Sequence, residues 1–240
     1  MKRNTKRIFA ALLALAAVLG LAGCGGTPSA QSAQSEAPAQ SAASEPAQSE
    51  AETPAAPEET PAEAETGGAL VVYFSRTGEQ YTVGVIEHGN TAIVAEMIAD
   101  AAGAELFEIL PLEDHYPMTY AELTDVAKRE QNENARPAYA GEIPDLSLYD
   151  TVFIGAPVWW GDWPMILYTF FEENAEALAG KRLVPFSTHE GSGLSGFDKK
   201  LAEACPNSTV LDGLAIRGND AQNRQDDVRN AVSEWVADIM

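Results

Sequence analysis

The sequence predicts an α/β domain over residues 69–240, built on a doubly wound, mostly parallel sheet of five strands. Two observations predict it. Apolar runs of strand length alternate five times with segments of helical period, the pattern of repeated β–α units with short connections. The segments after the first, third and fourth strands carry hydroxyl, tryptophan and glycine clusters. They would gather at the carboxyl end of such a sheet, where ligands bind.

The first strand is Ala69–Phe74, an unbroken apolar run. A helix is expected from about Asn90, a good N-cap residue. Ile93, Val94, Met97, Ile98 and Ala101 fall on one face, and Gly103 stops it. The second strand, Glu105–Leu110, mixes Leu106, Phe107 and Ile109 with acids, as at a sheet edge. A helix with a weak apolar pattern spans roughly Tyr120–Gln131. Thr151–Ala156 is the third strand, apolar enough for burial on both faces. The next helix begins around Pro164, a residue suited to a first turn. The fourth strand is Arg182–Ser187, followed by a helix from about Phe197 to Ala204. The fifth is Thr209–Ala215, and a last helix runs near Ala221–Ile239, with Val228, Val232, Trp235, Val236 and Ile239 on one face.

Residues 1–68 read differently. Lys2, Arg3, Lys6 and Arg7 precede an apolar stretch from Ile8 to Leu21, ending in Leu21-Ala22-Gly23-Cys24. The stretch is short for a membrane span and has the build of a targeting segment. It resembles a bacterial lipoprotein signal over residues 1–23. That resemblance implies a lipidated Cys24 and a cell-membrane location on the extracytoplasmic side. Residues 24–68 are that Cys and a linker of Ala, Ser, Gln, Glu, Pro, Thr and Gly. Without aromatic or branched aliphatic residues, the linker cannot bury enough surface to offset its chain entropy. As a flexible tether it would reach roughly 35–40 Å.

The formal net charge of −21 argues against nucleic acid as a partner. Cys205 is the only cysteine besides Cys24. A lone Cys at a helix end is read as a packing residue.

Three loops carry the functional signal. The first is Ser75-Arg76-Thr77-Gly78, separated by eleven residues from Asn90-Thr91. Small hydroxyl residues between a strand and a helix N-terminus suit an anion, because free N–H groups and the helix dipole both favour negative charge. No Lys follows in the spacing of a nucleoside-triphosphate loop. The second loop is Pro157-Val158-Trp159-Trp160-Gly161. Its adjacent tryptophans either cap the core or offer a stacking face to a flat ligand. The third is Thr188-His189-Glu190-Gly191-Ser192-Gly193, where glycines allow close backbone approach. A lone His such as His189 is more often a capping residue than a catalyst, and no catalytic side chain or metal ligand is singled out.

Together these loops resemble the flavodoxin family across the whole domain after Gly68. The resemblance implies that family's strand order, 2-1-3-4-5, with FMN as cofactor at the switch point. It further implies that Ser75, Arg76, Thr77, Gly78, Asn90 and Thr91 surround the phosphate. Pro157 to Gly161 and Thr188 to Gly193 would then flank the flavin ring, with Trp159 or Trp160 against it. A backbone C=O in the Trp160–Gly161 turn could accept a hydrogen bond from the reduced flavin N5.

One departure from the family is the segment Glu79–Gly89, which usually is absent. It either blocks the phosphate pocket or loops outward and leaves both halves adjacent; Gly84 and Gly89 favour the second. Tyr81, Val83, Val85 and Ile86 would then make an apolar flap, covering the domain's own surface, the cofactor or a partner. The expected function is an FMN-dependent electron carrier with a redox partner protein. The alternatives are an NAD(P)H:quinone-type oxidoreductase and a cofactor-free, partner-binding lipoprotein of the same fold.

Overall fold

The structure, a computed structural model, describes residues 67–240. The signal and lipidation motif ending at Cys24 and nearly all of the linker lie outside the described residues. No helix among the described residues is long and apolar enough to cross a membrane.

The elements follow in chain order: β1 (Gly68–Tyr73), β2 (Gly78–Gln80), β3 (Gly84–Ile86), α1 (Asn90–Ala102), β4 (Glu105–Glu108), β5 (Leu110–Pro111), α2 (Tyr120–Glu133), β6 (Tyr139–Ala140), β7 (Tyr149–Pro157), α3 (Met165–Leu178), β8 (Arg182–His189), α4 (Phe197–Ala204), β9 (Thr209–Val210), β10 (Leu214–Arg217), α5 (Gly218–Asn223) and α6 (Gln225–Ile239). The main sheet is parallel in the order β4-β1-β7-β8-β10, with β9 also paired to β8. Counting β9 and β10 as one interrupted strand, this is the expected 2-1-3-4-5 order.

Alternation along the strands feeds two cores, one on each face of the sheet. Leu70, Val72, Phe74, Ile154 and Leu183 face Ile166, Phe170 and Phe171 of α3 and Phe197 and Leu201 of α4. Val71, Tyr73, Phe153, Val184 and Phe186 face Ile93, Val94, Met97 and Ile98 of α1 and Val228, Val232 and Val236 of α6. The first core is rich in aromatic rings; the second is mainly aliphatic. Cys205 sits in the first core with 2% exposure, and burial pushes its thiol up to about 11. Its packing role holds.

Four local expectations need correction. Asn90 does not cap α1: Gly89 holds the cap position and Asn90 is the first helical residue. The second strand ends at Glu108, and Leu110–Pro111 pairs instead with β6 in a small antiparallel ribbon. The fifth strand breaks between Val210 and Leu214. The cause is Pro185 of β8, which lacks the N–H its neighbour needs. Leu183 pairs with Val210 and Phe186 with Leu214, so three steps of β8 face four of its partner. The last helix is two, divided at Arg224, whose backbone is non-helical.

The Glu79–Gly89 segment forms the antiparallel hairpin β2–β3. It is tied to the start of α2 rather than to β1. Glu79 N–H donates to Met118 O at 2.8 Å, and Tyr120 N–H donates to Glu79 Oε2 at 2.9 Å.

Candidate functional site: a cleft at the carboxyl edge of the sheet

The start of α1 lies directly against the end of β1 despite the hairpin between them. Ala92 N–H donates to Ser75 Oγ at 3.0 Å, satisfying one of the first helical donors. Ser75 thus accepts from the helix, and its own O–H remains free to donate. The approach is close enough that a Cβ at Gly89 would collide with Ser75 Oγ and lie 2.9 Å from Arg76 O. Only glycine fits there. The two halves of the motif are adjacent and the hairpin loops away from them.

The other phosphate-loop residues divide. Asn90 lines the cleft, with its Oδ1 accepting from Gln222 Nε2 at 2.9 Å. Thr77 and Gly78 continue from Ser75 into β2, and Thr77 O accepts from Gln80 Nε2 at 3.2 Å. Arg76 turns away. Its guanidinium takes both carboxylate oxygens of Asp114 at 3.0 Å and Tyr116 O at 2.8 Å. Thr91 is buried, 1% exposed, and shares a 2.7 Å hydrogen bond with Thr188 Oγ1. That bond joins the first helix to the end of β8. Thr91 therefore serves the cleft through Thr188, which does line it.

The loop after β7 separates its tryptophans. Trp159 is partly buried, with its ring edge-on to Phe74 and Tyr116 at 5.4 and 5.3 Å. It caps the core while keeping a surface on the cleft. Trp160 is 54% exposed, pinned by its indole N–H to Thr124 O at 2.9 Å. The Lys128 ammonium lies 5.1 Å over its ring. Trp159 and Asp162 exchange both backbone hydrogen bonds at 3.0 Å. Between them Trp160 and Gly161 have φ of 51° and 74°, the signs of a type I′ turn. Glycine suits that position; Trp160 is strained in it. Gly161 O is taken by Lys200 Nζ. Trp160 O meets only Gln131 Nε2, at 3.4 Å, so it is the freer acceptor of the turn.

Asp162 and Trp163 anchor this loop. Asp162 Oδ1 accepts from Trp163 N–H at 2.8 Å and Tyr168 O–H at 2.9 Å, and pairs with Lys200 at 3.2 Å. Trp163 stacks on Phe197 with ring centroids 3.6 Å apart.

Where β8 runs into its following loop, His189 Nδ1 accepts from Gly191 N–H at 2.8 Å. Nδ1 is therefore unprotonated and Nε2 carries the hydrogen. Burial, the larger cause, and Arg217 hold His189 below its ordinary pKa, opposed by Glu190 and Asp220. Glu190 Oε1 accepts from Asn219 N–H at 2.8 Å. Ser187 O–H donates to Gly193 O at 3.1 Å, closing the loop.

These parts enclose a cleft of about 320 Å³. Pro157, Val158, Trp159, Trp160, Thr188, His189, Glu190, Gly191, Ser192 and Asn90 line it, as do residues outside the expected set. Those are Gln80 and Tyr81 of the hairpin, Gly218 at the start of α5, and Tyr120, Leu123, Thr124 and Ala127 of α2. The α2 four stand at i, i+3, i+4 and i+7, one helical face. That spacing was the available signal, masked by the charged residues between. Ser75, Arg76, Thr77, Gly78, Thr91, Gly161 and Gly193 do not line this cleft. Ser75 lies at the α1 start, while Gly78 packs against Met118.

Comparison with known proteins agrees with the fold. Two solved structures of candidate flavoproteins, from Bacteroides uniformis and Bacteroides eggerthii, are each 28% identical. Their TM-scores are 0.56 and 0.55, and each match covers 72% of this chain and 99% of the other. A flavoprotein of Lactobacillus acidophilus, solved in complex with FMN, shares the fold at 20% identity and a TM-score of 0.51, covering 67% of this chain and 99% of its own. Among curated proteins none matches. The flavodoxin family profile matches residues 69–239; with the sheet order and the cleft at its carboxyl edge, the chain belongs to the flavodoxin family.

Proposed function

We propose that the cleft and the adjoining α1 start bind FMN, and that the protein is an electron-transfer flavoprotein held at the outer face of the cell membrane by a lipid on Cys24. The observation that carries the flavin reading is the fit of Ser75 to the start of α1. An eleven-residue segment intervenes, yet Ser75 Oγ still meets Ala92 N–H and only glycine is accommodated at position 89. A free hydroxyl set against a helix N-terminus has the chemistry for a phosphate.

In this reading Ser75, Thr77, Asn90 and the first N–H groups of α1 hold the phosphate. Trp159 and Trp160 on one side, and His189 to Ser192 on the other, flank the ring. FMN supplies the exchange of one or two electrons. The chain's own residues orient it and limit water. Trp160 is fixed by Thr124, its carbonyl stands as the available acceptor of the turn, and His189 presents a neutral Nε2–H donor. The redox partner would be another protein reached within the span of the tether.

The test is the visible absorption of the purified full chain and its quenching of FMN fluorescence. A yellow, quenching protein supports the reading; a colourless chain that leaves FMN fluorescence intact overturns it. Anchoring is tested separately. A Cys24→Ala variant that still sediments with membranes would sink the lipid tether.

A further inference from the structure

The buried face of α2 carries Leu123, Ala127 and, a turn further on, Glu130. A carboxylate in that apolar stripe, 5% exposed, is stable there only if donors replace its lost water. It has two. Glu130 Oε2 accepts from Tyr116 O–H at 3.1 Å, and Glu130 Oε1 lies 2.7 Å from His115 Nε2. The other ring nitrogen of His115, Nδ1, lies 2.9 Å from Glu113 O. Both nitrogens thus face oxygens that accept, so the ring carries two hydrogens and a positive charge. The hydrogen bond to Glu130, the largest cause, holds His115 above its ordinary pKa against burial, helped by Glu113 O and the charges of Glu130 and Asp114.

This pair stands behind the aromatic wall of the cleft. The His115 and Tyr116 rings are 4.4 Å apart, and buried Tyr116 is edge-on to Trp159 at 5.3 Å. From the loop after β1, Arg76 lies over the Tyr116 ring at 5.4 Å and pairs with Asp114.

We propose that His115 is a proton-operated positioning residue: when charged it locks Glu130 and Tyr116 behind Trp159, and when it loses its proton that wall of the cleft is released. The ring is partly exposed, so it exchanges its proton with solvent. A neutral imidazole turns one nitrogen into an acceptor and gives up either Glu113 O or Glu130. Without His115, the buried carboxylate keeps only the Tyr116 phenol as donor. Because the folded value lies above 6.5, the lock is fully closed below 6.5 and opens as pH rises through the folded value. The hold on Trp159 stands without a bound flavin; its effect on FMN rests on the flavin reading.

The test takes the full chain in detergent, labelled with fluorotryptophan, from about pH 5 to about pH 9. Trp159→Phe assigns the Trp159 fluorine signal, and His115→Gln assigns the histidine in ring-nitrogen NMR. The Trp159 signal is expected to shift with the His115 midpoint, above 6.5. Trp235, packed in the opposite core, should stay still. His115→Gln should make the Trp159 signal independent of pH. Glu130→Gln keeps an acceptor for Tyr116 without the charge, and should lower the His115 midpoint. FMN affinity should fall roughly fivefold across that midpoint, the worth of one hydrogen bond, and stay level in His115→Gln. The proposal is overturned if His115 is neutral at about pH 6, if the Trp159 signal ignores its titration, if His115→Gln leaves the Trp159 shift in place, or if wild-type FMN affinity is level across the midpoint. A chain that takes up no FMN at any pH fails the flavin reading alone, and the fluorine signals of the FMN-free chain still decide the lock.

Discussion

The loops after β7 and β8 leave neighbouring strands and end on the same cleft, but they are held in different ways. The β7 loop is clamped at every turn. Trp159 is wedged by Phe74 and Tyr116, Asp162 gathers three donors, and Trp163 lies on Phe197. The β8 loop is closed by side-chain bonds at its two ends, His189 to Gly191 and Ser187 to Gly193, plus Glu190 to Asn219. Its glycines have open space around them. One wall of the site is an extension of the aromatic core; the other is backbone that can adjust to a ligand. A site needing both a fixed stacking face and close backbone contact divides those tasks between two loops.

The contrast can be broken at its strongest point first. Trp163→Ala removes a fully buried indole from the aromatic core and should cost about 3–5 kcal/mol in urea or thermal unfolding. A cost below about 1 kcal/mol would show that the clamp does not rest on this stack. Asp162→Ala leaves Tyr168 O–H, Trp163 N–H and Lys200 without their shared acceptor, for a loss of about 1–3 kcal/mol. Weaker FMN binding should accompany it if the β7 loop is the fixed face. In the other wall, Gly193 has φ of +63° with nothing near its missing Cβ. Gly193→Ala should therefore lose only about 1 kcal/mol, the cost of a left-handed backbone alone. A cost equal to that of Asp162→Ala would erase the distinction between the loops.

The smallest effect is a pH dependence. His189 is held below its ordinary value, chiefly by burial. As pH falls through 6.5, the unfolded chain takes up a proton that the folded chain still refuses, so stability falls with acidification. The loss levels off below the folded pKa. Protonation at Nδ1 also ends the bond from Gly191 N–H. His189→Gln should flatten the unfolding free energy between pH 7 and 5 relative to wild type. An unchanged slope would remove His189 from the account.

The order of elements was legible because each buried strand is an apolar run and the large helices other than α2 have a clear face. Thr151–Ala156 and Ile93–Ile98 announce themselves in this way. What escaped was mostly set by contacts between distant residues. The break in the fifth strand falls at Asp212-Gly213, a breaker pair inside the apolar run, and answers Pro185 in the neighbouring strand, which no reading of the run by itself would pair with it. Gly89 displaces Asn90 from the cap because the end of β1 crowds that position. Arg76 follows a carboxylate 38 residues away, which no local pattern specifies. The site was legible where it lay on loops of unusual composition. It was missed on α2, where Tyr120, Leu123, Thr124 and Ala127 are ordinary residues made important by a hairpin that bends over them.

That hairpin has a consequence for the length of the chain. It returns Ile86 opposite Gly78, so its inserted residues leave and re-enter the framework at nearly the same place. Closing a longer flexible loop adds only about 0.6 kcal/mol per doubling. Residues can therefore be gained or lost at this point with little thermodynamic penalty to the sheet. The tip around Thr82 is a place where the molecule can vary in size and sequence while the frame beneath it keeps its register.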